Sequence, residues 1–401
     1  MSKEIPGDWK WVKLSEAVQI LDNLRKPINS SERQKRITSK SKEQLYPYYG
    51  ATGQVGWIDG FLTEGEFILV GEDGAPFLDV FKPKAYKISG KTWVNNHAHI
   101  LKEIVGKTDN VYILHYLNNV DYRQYVNGTT RLKLTKSSLS EMEFPLPPLL
   151  VQQAIVSKIE ELFSELDKGI ENLKTARQQL KVYRQSVLKW AFEGKLLNPI
   201  SNWSDHVLDE IAFAVDPQPS HRTPPVFENG VPFVSIKDVD SIQDKIDFNN
   251  ARKVSSSVLG AHLERYTILE GDFIIGKIGT IGKPVRLTLP QNYCLSANVV
   301  LIQPRKVNPT ILYYFFQSNT IEKAFKEGAK ATSQAAFGIQ KVRKLNIKLP
   351  SESEQVLVVS EIESRLSVAD KMEETITNSL QQAEALRQSI LKKAFEGKLV
   401  Q

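Results

Sequence analysis

A single cysteine, Cys294, stands in a chain of 401 residues. It excludes any internal disulfide and leaves packing to hold the fold, which fits a cytoplasmic protein. No uninterrupted apolar run approaches the roughly 18 residues that a membrane span needs, and the opening MSKEIPGDWKW lacks the apolar core of a secretory signal. Only six histidines are present. His97 and His99 alternate on what reads as one strand face, without a further donor at metal-ligand spacing. Gly271–Lys277, GDFIIGK, begins like a phosphate-binding loop, yet Ile278 stands where the magnesium-binding hydroxyl belongs. Asp216-Pro217-Gln218-Pro219 has no aromatic residue to stack on a flipped base. Asp73 or Asp79 with Lys82 and Lys84 resembles a fragment of a nuclease centre, but two-metal cleavage requires more carboxylates. Convincing catalytic chemistry is therefore missing.

Repetition is what the chain has. Gln185–Leu196 reads QSVLKWAFEGKL and Gln388–Leu399 reads QSILKKAFEGKL. At that offset of 203 the match runs without a gap from Leu146 to Asn198, with 24 identities in 53 positions. A second correspondence, at an offset of 194, sets Trp9, Leu14 and Glu16 against Trp203, Leu208 and Glu210. Solenoid repeats are much shorter, about 20 to 50 residues. The chain is instead a duplicated unit, each copy a variable globular part followed by a shared helical part. Two similar but unlike surfaces on one body suit a target with two unlike halves.

The helical parts carry heptads. Ile159, Leu166, Leu173, Leu180 and Val187 recur every seven residues, each followed three later by Leu162, Gly169, Ala176, Tyr183 or Trp190. In the second copy Ile362, Ala369, Ile376, Ala383 and Ile390 form the seam, with Leu366, Met372, Leu380 and Leu386 beside it and Arg365, Ser379 and Lys393 interrupting it. Prolines precede both helices, and Gly194 and Gly397 fit left-handed caps at their ends. About 40 residues give a helix of roughly 60 Å whose apolar seam needs a cover. Antiparallel pairing within the chain is the expectation, and pairing between chains the alternative.

The globular parts read as α/β. Strand-like runs fall at Glu66–Val70, Asp272–Ile275 and Asn298–Ile302, and short helices at Val111–Asn118 and Thr310–Ala329. The formal charge is +6, and its placement points to a polyanion. Residues 251–345 hold 14 Lys and Arg against 5 Asp and Glu, residues 22–48 hold 7 against 3, and the tail from Ser351 holds 6 against 9. Positive charge thus lies in the variable parts. The stretch from Arg25 and Lys26 through Lys35 and Arg36 leads into Tyr48, Tyr49 and Thr52, setting cations beside aromatics and glycines. Tyr46 and Tyr48 also read as core residues. Thr129, Thr130, Arg131 and Lys133 form a comparable loop before the first long helix, and Lys330, Ser333 and Gln334 one before the second. Lys237, Arg252, Lys253, Lys277 and Lys283 complete the candidate DNA-binding set.

The ordered set of GDWKWVKLSE at the start, PYYGATGQVGWIDG at Pro47–Gly60, EGEFILVGEDGA at Glu64–Ala75, the PLPP and KLP endings and the twin QSxLKxAFEGKL resembles the specificity subunit of type I restriction-modification enzymes. The likeness covers nearly the whole chain. It implies an α+β, pseudo-two-fold molecule. A first target-recognition domain (1–145) and helical region (146–199) precede a second recognition domain (200–348) and helical region (349–401), the helices packed as an antiparallel coiled coil. It further implies a double-stranded DNA site split into two half-sites, two docked methyltransferase subunits, and restriction subunits in the full complex, with no membrane role. S-adenosylmethionine, ATP and magnesium are then expected on those partners, adenine as the methylated base, and no cofactor in this chain. A self-contained nuclease and a coiled-coil adaptor without a DNA role are the competing readings.

Overall fold

A computed structural model describes residues 6–197, 203–240, 244–277, 282–329 and 338–400. The chain divides into two compact units. One comprises residues 1–174 with 377–401, the other residues 175–376. Each unit therefore holds one globular part, a portion of the long helix that follows it, and a portion of the other long helix.

In the first unit, strand Lys10–Lys13 pairs antiparallel with Glu143–Leu146, so the globular part closes on itself where the helix begins. Its main sheet has the order Val18–Ile20, Ala98–Glu103, Phe67–Gly71, Ala85–Ile88. Phe67–Gly71 reads FILVG, without a polar side chain, because it is covered on both faces. Ile68 and Val70 join the core beneath the helices, and Phe67 and Leu69 a smaller core opposite. A second sheet sets hairpin Tyr46–Gly50 and Gly53–Ile58 beside Lys91–Val94, the latter parallel to the first hairpin strand. Helix Asn110–Asn119 starts on Asp109, whose carboxylate accepts from the amides of Val111 and Tyr112.

The second unit repeats this plan. Trp203–Val207 pairs with Asn346–Pro350, and the main sheet runs Ala212–Val215, Val299–Pro304, Phe273–Gly276, Pro284–Arg286, the same order in corresponding strands. Val231–Val234 lies parallel to Cys294–Leu295, as Tyr46–Gly50 does to Lys91–Val94. The helix expected at Thr310–Ala329 is two, Pro309–Gln317 and Asn319–Ala329. They are broken at Ser318, whose backbone is extended and whose hydroxyl donates to the Phe315 carbonyl. Phe273–Gly276, the centre of the phosphate-loop-like run, is a buried strand rather than a cradle.

The long helices, Leu149–Phe192 and Glu352–Phe395, have 44 residues each. In the first unit, Ile155, Val156 and Ile159 of the former share a core with Ile390, Leu391, Ala394 and Phe395 of the latter. In the second, Val187, Leu188 and Ala191 share one with Val358, Val359 and Ile362. Within each unit the start of one helix meets the end of the other, which is antiparallel packing inside one chain. Polar contacts follow the same pairing. Arg387 binds Asp167 and lies 4.4 Å over the Phe163 ring in the first unit, and Arg184 reaches Asp370 at 2.6 Å and Glu373 at 3.0 Å in the second.

The expected seam is partly corrected. Ile159, Leu180, Val187, Ile362, Ala369, Ile376, Ala383 and Ile390 are buried, and Leu162, Leu166, Leu173, Tyr183 and Leu366 are half-buried. Gly169, Trp190, Met372 and Leu386 stand exposed, Leu386 by 51%. A two-helix pair covers only a narrow stripe, so residues flanking it face solvent. Gly194 and Gly397 end the helices at φ +70° and +67°. A Cβ at Gly194 would press on the Trp203 indole, and one at Gly397 would strike the Pro6 ring beside Trp9. Each helix end thus seats against the opening of a globular part within its own unit.

Candidate nucleic-acid interface

The basic stretch of the first globular part folds as helix Ser30–Ile37, capped by Asn29, whose side-chain oxygen accepts from the Glu32 amide. Its arginines turn inward. Arg33 lies 4.6 Å over the Tyr48 ring; Arg36 lies 5.2 Å over Trp93 and donates through Nε to Asp59 at 2.6 Å. Lys35, Lys40 and Lys42 face solvent, as does Lys26. Tyr48 is buried, and its hydroxyl exchanges hydrogen bonds with the backbone of Ile28. It is a core residue rather than a stacking platform. Tyr49 packs on Tyr86, and Thr52 is exposed in the turn before Gly53. Sequence reading overlooked the exposed Val55 and Trp57 of the same hairpin, where the pairing with Tyr48 and Tyr49 skips Val55 in a bulge. Single apolar residues carry no signal of exposure.

Arg25 is also built into the fold. Its guanidinium binds Glu72, reaches Asp22 at 3.2 Å and donates to the Ala98 carbonyl at 3.1 Å. His99, fully buried, has Nδ1 2.7 Å from Asp22 and Nε2 2.8 Å from the Leu134 carbonyl. Burial raises the Asp22 carboxyl, but its hydrogen bond to His99 and the charges around it hold it below the usual aspartate range. Glu72 is likewise raised by burial and brought below its usual range by Lys133 and Arg25. This network joins the strand ends to the 128–133 loop through Lys133, 3.0 Å from Glu72.

Thr129, Thr130, Arg131 and Lys133 are exposed on that loop. Arg131 Nη2 donates to Asp73 Oδ1 at 2.7 Å, an oxygen that also lies 2.8 Å from His97 Nδ1. Asp79 is engaged separately, accepting from the Phe81 amide and facing Lys82. Lys84 donates to its backbone carbonyl. Asp73 and Asp79 thus serve different local structures and do not form the nuclease cluster considered from sequence. Among the described residues no group of His, Cys, Asp and Glu is arranged to hold a metal ion.

In the second globular part, Lys237, Lys253 and Lys283 face solvent. Lys277 is largely buried and pairs with Asp216 at 3.1 Å, so it is a structural cation. Arg252 is half-buried, its Nε without a hydrogen-bond partner. Gln218, from the Asp216–Pro219 segment, is buried 2.8 Å from His262, whose imidazole is pushed down to about 4 by burial. Lys330, Ser333 and Gln334 lie outside the described residues.

One sheet order thus occurs twice, and each globular part carries its own exposed cations, Lys26, Lys35, Arg131 and Lys133 in one and Lys237, Lys253 and Lys283 in the other. The family model of the type I restriction modification DNA specificity domain matches residues 6–175 and 222–382. The chain belongs to this family. As a type I DNA specificity subunit it determines which DNA sequence is recognised. It is similar to a putative type I restriction enzyme specificity subunit of Haemophilus influenzae, 29% identical over 388 residues that cover 92% of this chain and 89% of the relative. The EcoBI specificity subunit of Escherichia coli is 24% identical over 91% of this chain and 79% of its own length. The fold is shared with the HsdS subunit from Thermoanaerobacter tengcongensis, at a TM-score of 0.58 and 18% identity, covering 99% of each chain. It is shared too with a chain from a study of complex assembly and conformational transition in a type I restriction-modification system, at a TM-score of 0.69 and 16% identity, covering 98% and 99%. Among the described residues no helix is long and apolar enough to cross a membrane.

Proposed function

We propose that this specificity subunit reads a double-stranded DNA site in two halves, residues 1–145 one and 200–348 the other, with the paired helices setting the unread spacer. The observation that carries this reading is one strand order built twice with unlike loops: the same scaffold offers Lys26, Lys35 and the 128–133 loop in one copy, and Lys237, Lys253 and Lys283 in the other. In this reading the chain is non-catalytic and cytoplasmic. It docks two methyltransferase subunits, and restriction subunits in the full complex. S-adenosylmethionine, ATP and magnesium act on those partners, and an adenine in each half-site is methylated.

The test exchanges residues 200–348 for those of a relative, coexpresses the hybrid with its methyltransferase subunits and maps methylated sites across the host genome. One half of the recognised sequence changes and the other stays. A change in both halves, or in neither, would refute the assignment.

A further inference from the structure

The 128–133 loop is built around one side chain. Its backbone is tied to the segment after strand Phe67–Gly71. The Leu134 amide donates to the Glu72 carbonyl at 2.7 Å, Asp73 and Lys133 form an antiparallel bridge, and the Glu72 amide donates to the His97 carbonyl at 2.8 Å. Asp73 is therefore held from both sides, and its carboxylate receives Arg131. Two glycines make room for that arginine. Gly128, at φ +106°, would place a Cβ 2.4 Å from the Arg131 carbonyl, and Gly74, at φ +69°, would place one 3.0 Å from its guanidinium. Arg131 nevertheless keeps 61% of its side chain exposed.

A guanidinium anchored on one nitrogen by a fixed carboxylate presents its remaining donors in a set direction. Its charge is also offset by the carboxylate, which weakens its pull on a phosphate and leaves directional hydrogen bonding as what it offers. Paired acceptors that fit a planar fork occur on the major-groove edge of guanine, at O6 and N7. We propose that Arg131 is a base-reading residue that recognises a guanine in the half-site read by the first globular part, and that Asp73 is its positioning residue. This rests on the assignment of that part to one half-site. Arg25, by contrast, is consumed inside the fold, and Lys35 is an exposed point charge suited to phosphate.

The test uses the full chain coexpressed with its methyltransferase subunits, with methylated positions mapped genome-wide for wild type, Arg131→Ala, Arg131→Lys, Asp73→Ala and Asp73→Glu. An exposed ion pair contributes little to folding, so these variants are expected to fold, which thermal unfolding of each verifies. Arg131→Ala and Arg131→Lys both relax a single base pair of one half-site, raising methylation at sites with a substituted base about 5- to 150-fold relative to the cognate. Asp73→Ala relaxes the same base pair to a smaller degree, Asp73→Glu restores part of the discrimination, and the other half-site is unchanged throughout. If Arg131→Lys keeps wild-type preference while Arg131→Ala loses methylation evenly at all sites, the arginine is a phosphate ligand and the proposal falls. It also falls if Arg131→Ala alters no base preference, and falls for Asp73 if Asp73→Ala leaves the sequence read as in wild type. A wild-type complex that methylates no split site would instead overturn the functional reading beneath it.

Discussion

Replacing Arg25 with alanine separates a DNA contact from a structural ion network, because the two roles predict opposite results. Arg25 is 17% exposed, and its partners Asp22 and Glu72 are 8% and 13% exposed. Removing it leaves two mostly buried carboxylates without their shared cation. Truncating one partner of a buried pair costs about 3–5 kcal/mol. Lys133 still faces Glu72 and His99 still faces Asp22, so the lower end, about 3 kcal/mol, is expected here. Both carboxyls sit below their ordinary values in the folded protein. Their contribution is therefore complete above the ordinary carboxylate range and fades as pH falls through the folded-state values. The gap between wild type and Arg25→Ala should be full at pH 7 and shrink below about pH 4.

Urea unfolding of the full chain across pH, with hydrogen exchange followed on strands Phe67–Gly71 and Ala98–Glu103, measures this locally. Were Arg25 a phosphate ligand, unfolding would be unaffected, and the slope of log affinity against log salt would drop by about 1. An unchanged unfolding curve with that reduced slope would refute the reasoning.

Ile159→Ala and Ile362→Ala each open a cavity at a fully buried position where the long helices meet, and each should cost about 2–5 kcal/mol. Hydrogen exchange should place the loss in residues 1–174 with 377–401 for the first and in residues 175–376 for the second; a loss in the other unit would contradict the core assignments. Lys35→Ala, at an exposed helix position, should leave unfolding alone and weaken binding evenly across DNA sequences, with the salt slope reduced by about 1. Equilibrium titrations at several salt concentrations decide it, and a change in sequence preference would contradict a phosphate role.

What the sequence made legible was periodic or repeated. Heptad spacing identified Ile362, Ala369, Ile376, Ala383 and Ile390, all buried, and the twin FEGK ends identified both left-handed glycines. Spacing alone overextended the stripe to Leu386, which stands in solvent because two paired helices cover only a narrow seam. The site was less legible. Composition marks Arg25, Lys35 and Arg131 alike as cations. Their roles depend on Glu72 and Asp73, 47 and 58 residues from the arginines they bind, brought together only by strand pairing. Tyr48 was open to both readings from sequence, and the pocket formed by Ile28, Ile58 and Trp93 resolves it as core.

The two copies differ where reading demands it and agree where joints demand it. Gln152 and Gln355, 203 residues apart, do the same work. Each is buried at the start of a long helix, donates to the nearby Pro147 or Pro350 carbonyl, and accepts the amide of Asp109 or Asn308, the cap of a short helix. At the ends of corresponding sheet strands the chemistry inverts. Asp22 and Asp216 match in position, yet the residue after strand Phe67–Gly71 is the acid Glu72, bound to Arg25, while that after Phe273–Gly276 is the base Lys277, bound to Asp216 itself. A buried joint admits few solutions, since an unpaired amide there is costly, whereas a strand end at the loops tolerates either polarity so long as it is paired. Duplication followed by drift under those two constraints yields one scaffold carrying two differently charged loop platforms, which is the physical requirement for reading two unlike half-sites with a single chain.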